Sequence, residues 1–326
     1  VIRLVSILLA LALALFIGSL LIGPAKIGPT ESLRALLVGG EGPLTLVMRE
    51  IRLPRAILAL VIGAALGLAG AAMQGYLRNP LADPGLIGVS GSAALGAVIA
   101  LQTGLAATGT LALPLAALAG GVIGVALVLL LAGPRGGSLS LILSGIAISA
   151  LAGALTSLVL NLSPNPFAAN EIVFWMMGSL ADRSMTHVGI ALPLIVIGSA
   201  ALATLGRGLD ALTLGEDAAQ SLGIGMTRLR LVLIFGTAAV VGAATAVAGA
   251  IGFVGLVVPH VLRGFVGGRP SHLLWASALG GAVMLLAADI AVRVVLPSRD
   301  LKLGVLTALI GAPLFLHLIY RTRRGQ

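Results

Sequence analysis

The residues able to do chemistry in this chain are few and far apart. Asp83, Asp289 and His260 sit in or beside long apolar runs. An ionisable side chain placed there is a candidate for proton or ion transfer. Each also has a structural alternative. Asp83 closely follows Pro80 and can accept turn or helix-cap hydrogen bonds. Asp289 stands four residues before Arg293, the spacing of an ion pair on one helix face. His260, next to Pro259, can serve as a hydrogen-bonded packing residue. The four histidines are scattered without metal-site spacing, and the chain has no cysteine, so thiolate chemistry and disulfides are excluded. No His-Glu-x-x-His run or Ser/His pairing marks a hydrolase, and no Gly-x-x-x-x-Gly-Lys-Ser/Thr sequence cradles a nucleotide phosphate. The chemistry left is that of passage through a membrane.

The segment Asn79-Pro80-Leu81-Ala82-Asp83-Pro84-Gly85, running on to Gly91, carries that reading furthest. Pro80 and Pro84 each remove a backbone donor and interrupt a helix. In lipid a broken backbone survives only where protein covers it or where it lines a wet cavity. The segment is therefore expected on the route of a solute.

The elements that position these groups follow from composition. The chain is 59% apolar and only 10% charged, against about 25% charged in ordinary soluble domains. It reads as a single all-α, polytopic membrane domain spanning 1–326. A span needs about 20 apolar residues. Charge-free runs predict ten transmembrane helices near 4–22, 56–77, 85–102, 111–132, 139–160, 188–206, 231–249, 251–266, 273–292 and 303–320. The first run exceeds a typical signal-peptide core of about 7–15 residues and is read as a span. The net charge of +9 is assigned to basic residues at the membrane edges, with no nucleic-acid partner.

An even number of spans puts both termini on one side, expected to be cytoplasmic. Of the 20 basic residues, eleven then fall inside and nine outside, so the charge bias supports this orientation only weakly. Residues 63–71 (Gly-Ala-Ala-Leu-Gly-Leu-Ala-Gly-Ala) and 242–250 (Gly-Ala-Ala-Thr-Ala-Val-Ala-Gly-Ala) match at six of nine positions. Lying in oppositely directed spans, they predict an inverted internal repeat of the kind transporters use. Gly-x-x-x-Gly pairs at Gly63/Gly67 and Gly120/Gly124 suit close helix packing. Trp175, in the outer segment 161–187 with Pro164, Pro166, Met176 and Met177, is expected to anchor an interfacial helix. Residues 207–230 form the largest polar stretch on the inner face. Gly215 and Gly223 bracket room for a short surface helix, with Leu212, Leu214 and Leu222 as apolar anchors.

Several motifs, in order, resemble the permease subunits of ATP-binding-cassette importers for vitamin B12, ferric siderophores and haem. They are Ile-Arg-Leu-Pro-Arg at 51–55, Gly-Ala-Ala-Met-Gln at 70–74, Asn-Pro-Leu-Ala-Asp-Pro-Gly at 79–85, Trp-Met-Met-Gly at 175–178, Leu-Gly-Glu at 214–216, Gly-Phe-Val-Gly-Leu-Val-Val-Pro-His at 252–260 and Gly-Ala-Pro-Leu-Phe at 311–315. The resemblance implies a transporter subunit with no catalytic site, working as two copies. It implies two ATPase subunits, which would hold ATP and Mg, resting on the loop 207–230 through Leu214, Gly215, Glu216, Asp217, Gln220, Leu222 and Gly223. A soluble, periplasmic or lipid-anchored binding protein would dock on Arg52, Arg55 and Arg293, for which plain interfacial anchoring is the alternative. A gate is implied at Asn79, Pro80 and Leu81 and at Ser138, Leu139 and Ser140; the family often has two adjacent hydroxyls at the second site, which Leu139 interrupts here. The location implied is the bacterial cytoplasmic membrane. The expected cargo is an iron chelate such as a ferric siderophore, with haem or cobalamin as alternatives. An ion-coupled secondary transporter using Asp83, Asp289 or His260 is the reading from another class.

Overall fold

The structure, a computed structural model, describes all residues except 24, 26, 41, 134–135, 164–165, 296–300 and 325–326, and leaves the side chains of 166–168, 317–319 and 321–324 undescribed. Lys26, Arg135, Arg299 and Pro164, which entered the sequence reading, lie outside the described residues. The helices are α1 (Ile2–Leu21), α2 (Pro29–Leu37), α3 (Pro43–Leu46), α4 (Leu53–Leu77), α5 (Val89–Gln102), α6 (Ala112–Ala132), α7 (Ser138–Asn161), α8 (Pro166–Met176), α9 (Met185–Ala203), α10 (Gly206–Leu212), α11 (Glu216–Ser221), α12 (Met226–Ala248), α13 (Val254–Arg263), α14 (Pro270–Val295) and α15 (Leu303–Arg324). No strand occurs among the described residues. A π-helical turn, Val47–Arg52, joins α3 to α4, so Pro43–Leu77 is one continuous helical rod.

Each of the ten apolar runs coincides with a helix, but the helices are unequal. Among the described residues, seven are long and apolar enough to cross a membrane. Val89–Gln102, Val254–Val266 and Leu303–Leu316 are shorter apolar helices. Two of the short ones are cut by the breakers that the sequence shows. Residues 85–88 are not α-helical: Pro84–Ile87 form a 3-10 turn, capped by the Asp83 carboxylate accepting from the Gly85 amide at 2.7 Å. The run 231–262 breaks after Ala248, at Gly249 with φ +72, and resumes at Val254.

Packing explains the glycine content. α4 and α12 carry the most buried residues and form the middle of the bundle, with α14, α9 and α13 packed on α4 and α6 and α9 on α12. A Cβ on Gly63 or Gly67 would run into the backbone carbonyls of Gly281 or Ser277, so α4 and α14 touch backbone to backbone. Small residues at such crossings replace the hydrophobic driving force that lipid cannot supply. The outer helices show the complementary pattern. Leu9, Leu13, Val122, Ile123, Leu130, Leu143 and Ile146 are exposed, as expected of surfaces facing acyl chains.

The two matching nine-residue stretches are largely buried, the first in α4 and the second at the end of α12. They diverge at one matched position: the helix runs on through Gly70, whereas at Gly249 the left-handed backbone ends it.

Candidate functional site

The polar residues gather at two ends of the bundle. One end is built on Asp289, fully buried in α14. Its carboxylate meets Arg55 Nε at 2.8 Å and Arg293 Nη2 at 2.8 Å. Arg293 also donates to the carbonyls of Ser19 and Ile22 and to the Ser19 hydroxyl. Arg52 donates to the carbonyls of Leu20, Leu21 and Ala25. These carbonyls close the C-terminal end of α1, where a helix leaves its last acceptors unsatisfied. The sequence spacing predicts the Asp289–Arg293 pair; Arg55, 234 residues away, is a partner that spacing cannot reveal. Arg52 and Arg293 are buried within the chain, and Arg55 keeps partial exposure. Each oxygen of the buried carboxylate thus faces one arginine, the arrangement of a structural ion pair.

The opposite end gathers residues 207–230 and the two segments, Asn79–Leu81 and Ser138–Ser140, that the family resemblance marks as a gate. Leu214 and Leu222 are 69% and 63% exposed, although leucine ordinarily seeks cover. Between them α11 carries Glu216 and Asp217 in its first turn, where carboxylates suit the positive end of a helix, and Gln220 is exposed beside them. Gly215 and Gly223 flank the helix with φ +106 and +83. Leu212 differs from expectation: it is 1% exposed and packs in the chain's own core, so it anchors the loop from inside. Asp210 fixes the loop to α14, accepting from the Ser271 amide (2.8 Å) and hydroxyl (2.7 Å) and from Arg269 Nε (2.9 Å). Partial burial would raise this carboxyl, but the Ser271 amide, Arg269 and the Ser271 hydroxyl outweigh it and hold it below the ordinary carboxylate range.

The first gate segment follows α4, which ends at Arg78 in the left-handed region, φ 50. Asn79 Oδ1 accepts from the Leu81 amide at 2.9 Å, an Asx turn. Asn79 and Pro80 are exposed. Gln74 supports the segment from behind: its amide donates to the carbonyls of Ala82 and Leu256 and accepts from Arg263 at 2.9 Å. The His260 ring sits against the Pro80 carbonyl. The second gate segment opens α7. Leu139 is 68% exposed, and the Ser140 hydroxyl donates to the Ala132 carbonyl at 3.1 Å, folding the α6–α7 connection on itself. Among the described residues no hydrogen bond joins Asn79–Leu81 to Ser138–Ser140. They are related through the broken segment, since the Leu86 carbonyl lies where a Cβ on Gly145 of α7 would stand.

Three distant motifs meet in a way the sequence did not signal. Gly178 presses on the Ala250 carbonyl, the Ser179 amide donates to Ala248 at 2.7 Å, and the Gly304 amide donates to Gly178 at 3.2 Å. Phe253 adopts φ +68, rare for a bulky residue, and fits against Gly311, where a Cβ would collide with it. The junction borders an apolar cavity of about 650 Å³ lined by Met176, Met177, Phe253, Val305, Leu309 and Leu316 among others. Trp175 is half-buried here against the 93, 97, 117 and 246 alanines. Among the described residues no group of three or more His, Asp or Glu gathers that could hold a metal ion.

Comparison with known proteins agrees with this architecture. The FecCD transport family model matches residues 10–321. The Halobacterium salinarum cobalamin import permease BtuC is 41% identical over 84% of this chain and 73% of its own length. The Escherichia coli Fe(3+) dicitrate permease FecD is 38% identical over 85% and 86%, and the Yersinia pestis hemin permease HmuU 36% over 85% and 84%. The solved inward-facing structure of a metal-chelate type ABC transporter superposes with a TM-score of 0.86 at 34% identity, covering 98% of this chain and all of that one. The chain is therefore a member of the FecCD transport family, the membrane-spanning permeases of ABC importers for iron chelates, vitamin B12 or haem.

Proposed function

We propose that this permease imports an iron chelate, as one of two copies flanking a shared path, with two ATPase subunits seated on residues 207–230 and a binding protein delivering cargo at the opposite end. The observation that carries the reading is the exposed Leu214–Leu222 knob, held on a rigid base by Leu212 and Asp210. Two bare leucines flanking a helix start with two carboxylates match a docking element and have no use on a solvated loop. ATP and Mg would reside on the ATPases. Both termini and the knob would face the cytoplasm, with the chain in the bacterial inner membrane as a ten-span, internally repeated unit.

On this reading, ATPase closure draws α11 with it, and the gate segments at Asn79–Leu81 and Ser138–Ser140 part or meet. The cavity at 176–177, 253 and 305–316 offers apolar walls, which let a bulky solute pass without holding it. Arg55 is the most accessible member of the cluster proposed to meet acidic residues of the binding protein, with Arg52 and Arg293 setting its surroundings. Iron chelates are favoured by the 38% identity to the ferric dicitrate permease and the likeness to a metal-chelate transporter. Cobalamin is the second reading, on the 41% identical relative.

Uptake into proteoliposomes containing the permease, its ATPase and its binding protein tests the proposal. The expected result is vanadate-sensitive accumulation of a radiolabelled ferric siderophore above cobalamin and haemin. Accumulation by the permease alone, abolished by an uncoupler, would overturn it in favour of ion coupling. Preference for cobalamin would overturn only the cargo.

A further inference from the structure

Arg230 is a buried cation that none of the roles above uses. It lies one turn into α12, the helix that leaves the knob through Gly223 and Gly225. Its guanidinium reaches back nearly a hundred residues. Nη1 donates to the Gly136 carbonyl, and Nη2 donates to the Gly133 carbonyl at 2.6 Å. Gly133 caps the end of α6, and Gly136 stands two residues before the first turn of α7, where Ser138, Leu139 and Ser140 lie.

Both Nη groups of this buried guanidinium meet a carbonyl while Nε meets none, and a planar guanidinium held by two carbonyls is a stiff link. We propose that Arg230 is a positioning residue, a strut that passes movement of the ATPase-facing loop to the mouth of α7 and so sets the second gate segment. Leu222 to Arg230 is a short path: the α11 end, one glycine-bounded turn, and the first turn of α12. Any tilt of α12 that follows α11 drags the Gly133 and Gly136 carbonyls, and with them the start of α7. The inference rests on the reading of 207–230 as the ATPase dock, and the experiment separates the two.

The absence of cysteine makes single-site labelling clean. Ser221→Cys reports on the dock: the side chain is exposed and its hydroxyl bonds only locally, to Asp217. Gly137→Cys reports on the gate mouth: Gly137 is exposed, and a Cβ there meets nothing within 4 Å. Each labelled permease is reconstituted with its ATPase subunits, and the mobility of a nitroxide is followed as ATP and vanadate are added. With Arg230 intact, both labels should respond. In Arg230→Met, which keeps the stem and removes the donors, the label at 221 should still respond while that at 137 should not, and transport per ATP hydrolysed should fall at least tenfold. Arg230→Lys, with one ammonium for two acceptors, should restore part of both. The retained response at 221 shows that the variant folds and docks. If the label at 137 responds as fully in Arg230→Met as with Arg230, and transport per ATP is unchanged, the strut is overturned while the dock stands. If 221 fails to respond even with Arg230 intact, the dock itself falls and the strut falls with it.

Discussion

At the Asp289 end of the molecule Arg52, Arg55 and Arg293 turn inward. Arg52 and Arg293 spend their donors on the tail of α1, and Arg55 leans on the carboxylate. At the 214–223 end the reverse holds. Leu214, Leu222, Glu216, Asp217 and Gln220 face out, and the residues that fix the loop, Leu212 and Asp210, lie behind them. Both ends look alike in the sequence, as polar interruptions between apolar runs. The contrast teaches that the first end spends its charges on its own fold, whereas the second turns its leucines and carboxylates outward and is tied down from behind.

The sharpest way to break this contrast is Asp289→Ala. It strands Arg55 and Arg293 without their carboxylate at a buried site, a loss of about 3–5 kcal/mol. The unfolding midpoint in detergent should fall accordingly. A change no larger than that of a surface substitution would show that the arginines are satisfied by carbonyls alone and that the two ends differ less than their geometry indicates.

The converse experiment acts on the displayed side chains. Leu214→Asp with Leu222→Asp should leave the unfolding midpoint within about 0.5 kcal/mol of the parent, since neither leucine is buried. Association with the ATPase should weaken by about 2–4 kcal/mol, the range of anchors lost from the centre of an interface. Co-purification and titration of the ATPase would measure it. Loss of stability in this pair would mean that the knob packs on its own chain.

Much of the fold is legible in the sequence because membrane helices announce themselves by apolar length, and because Pro84 and Gly249 break the backbone where the sequence shows breakers. Helix positions followed from that; where two of the short helices begin did not, since charge-free residues 85–88 and 251–253 read as span although their backbone is turn and coil. The i,i+4 pair of Asp289 and Arg293 was local and therefore visible. Arg55 on Asp289, Arg230 on Gly133 and Gly136, and Gly178 against Ala250 join residues distant in the chain, and no spacing rule reaches them. Leu212 and Leu214, two residues apart, show the limit best. On paper they are equal anchors; one turn of backbone puts the first in the core and the second in the open.

Arg55→Gln sharpens the contrast at intermediate size. Asp289 keeps Arg293, so stability should fall by about 1 kcal/mol, less than in Asp289→Ala. If the partly exposed guanidinium steers a binding protein, the association rate should drop and lose part of its dependence on salt, with a smaller effect on affinity. An unchanged rate at every salt concentration would leave Arg55 with its structural role alone.

The smallest effect belongs to Asp210, the tether behind the knob. Burial pushes its carboxyl up, but the Ser271 amide, Arg269 and the Ser271 hydroxyl pull it below the ordinary value when the chain is folded. A carboxyl depressed by folding stabilises most when ionised in both states. Its contribution is therefore whole above the unfolded carboxylate pKa, near 4, and disappears as pH falls from there through the lower folded value. Arg269 is largely exposed, so the worth is that of a screened surface pair, about 0–1 kcal/mol. Asp210→Asn should lower the unfolding midpoint slightly at pH 7, and the gap from the parent should close as the pH is brought below 4. A gap that stays constant to pH 3 would mean that the neutral hydrogen bonds to Ser271 hold the loop. The base of the knob would then be fixed without charge, and the two ends would differ in the kind of bond that holds them as well as in where their side chains point.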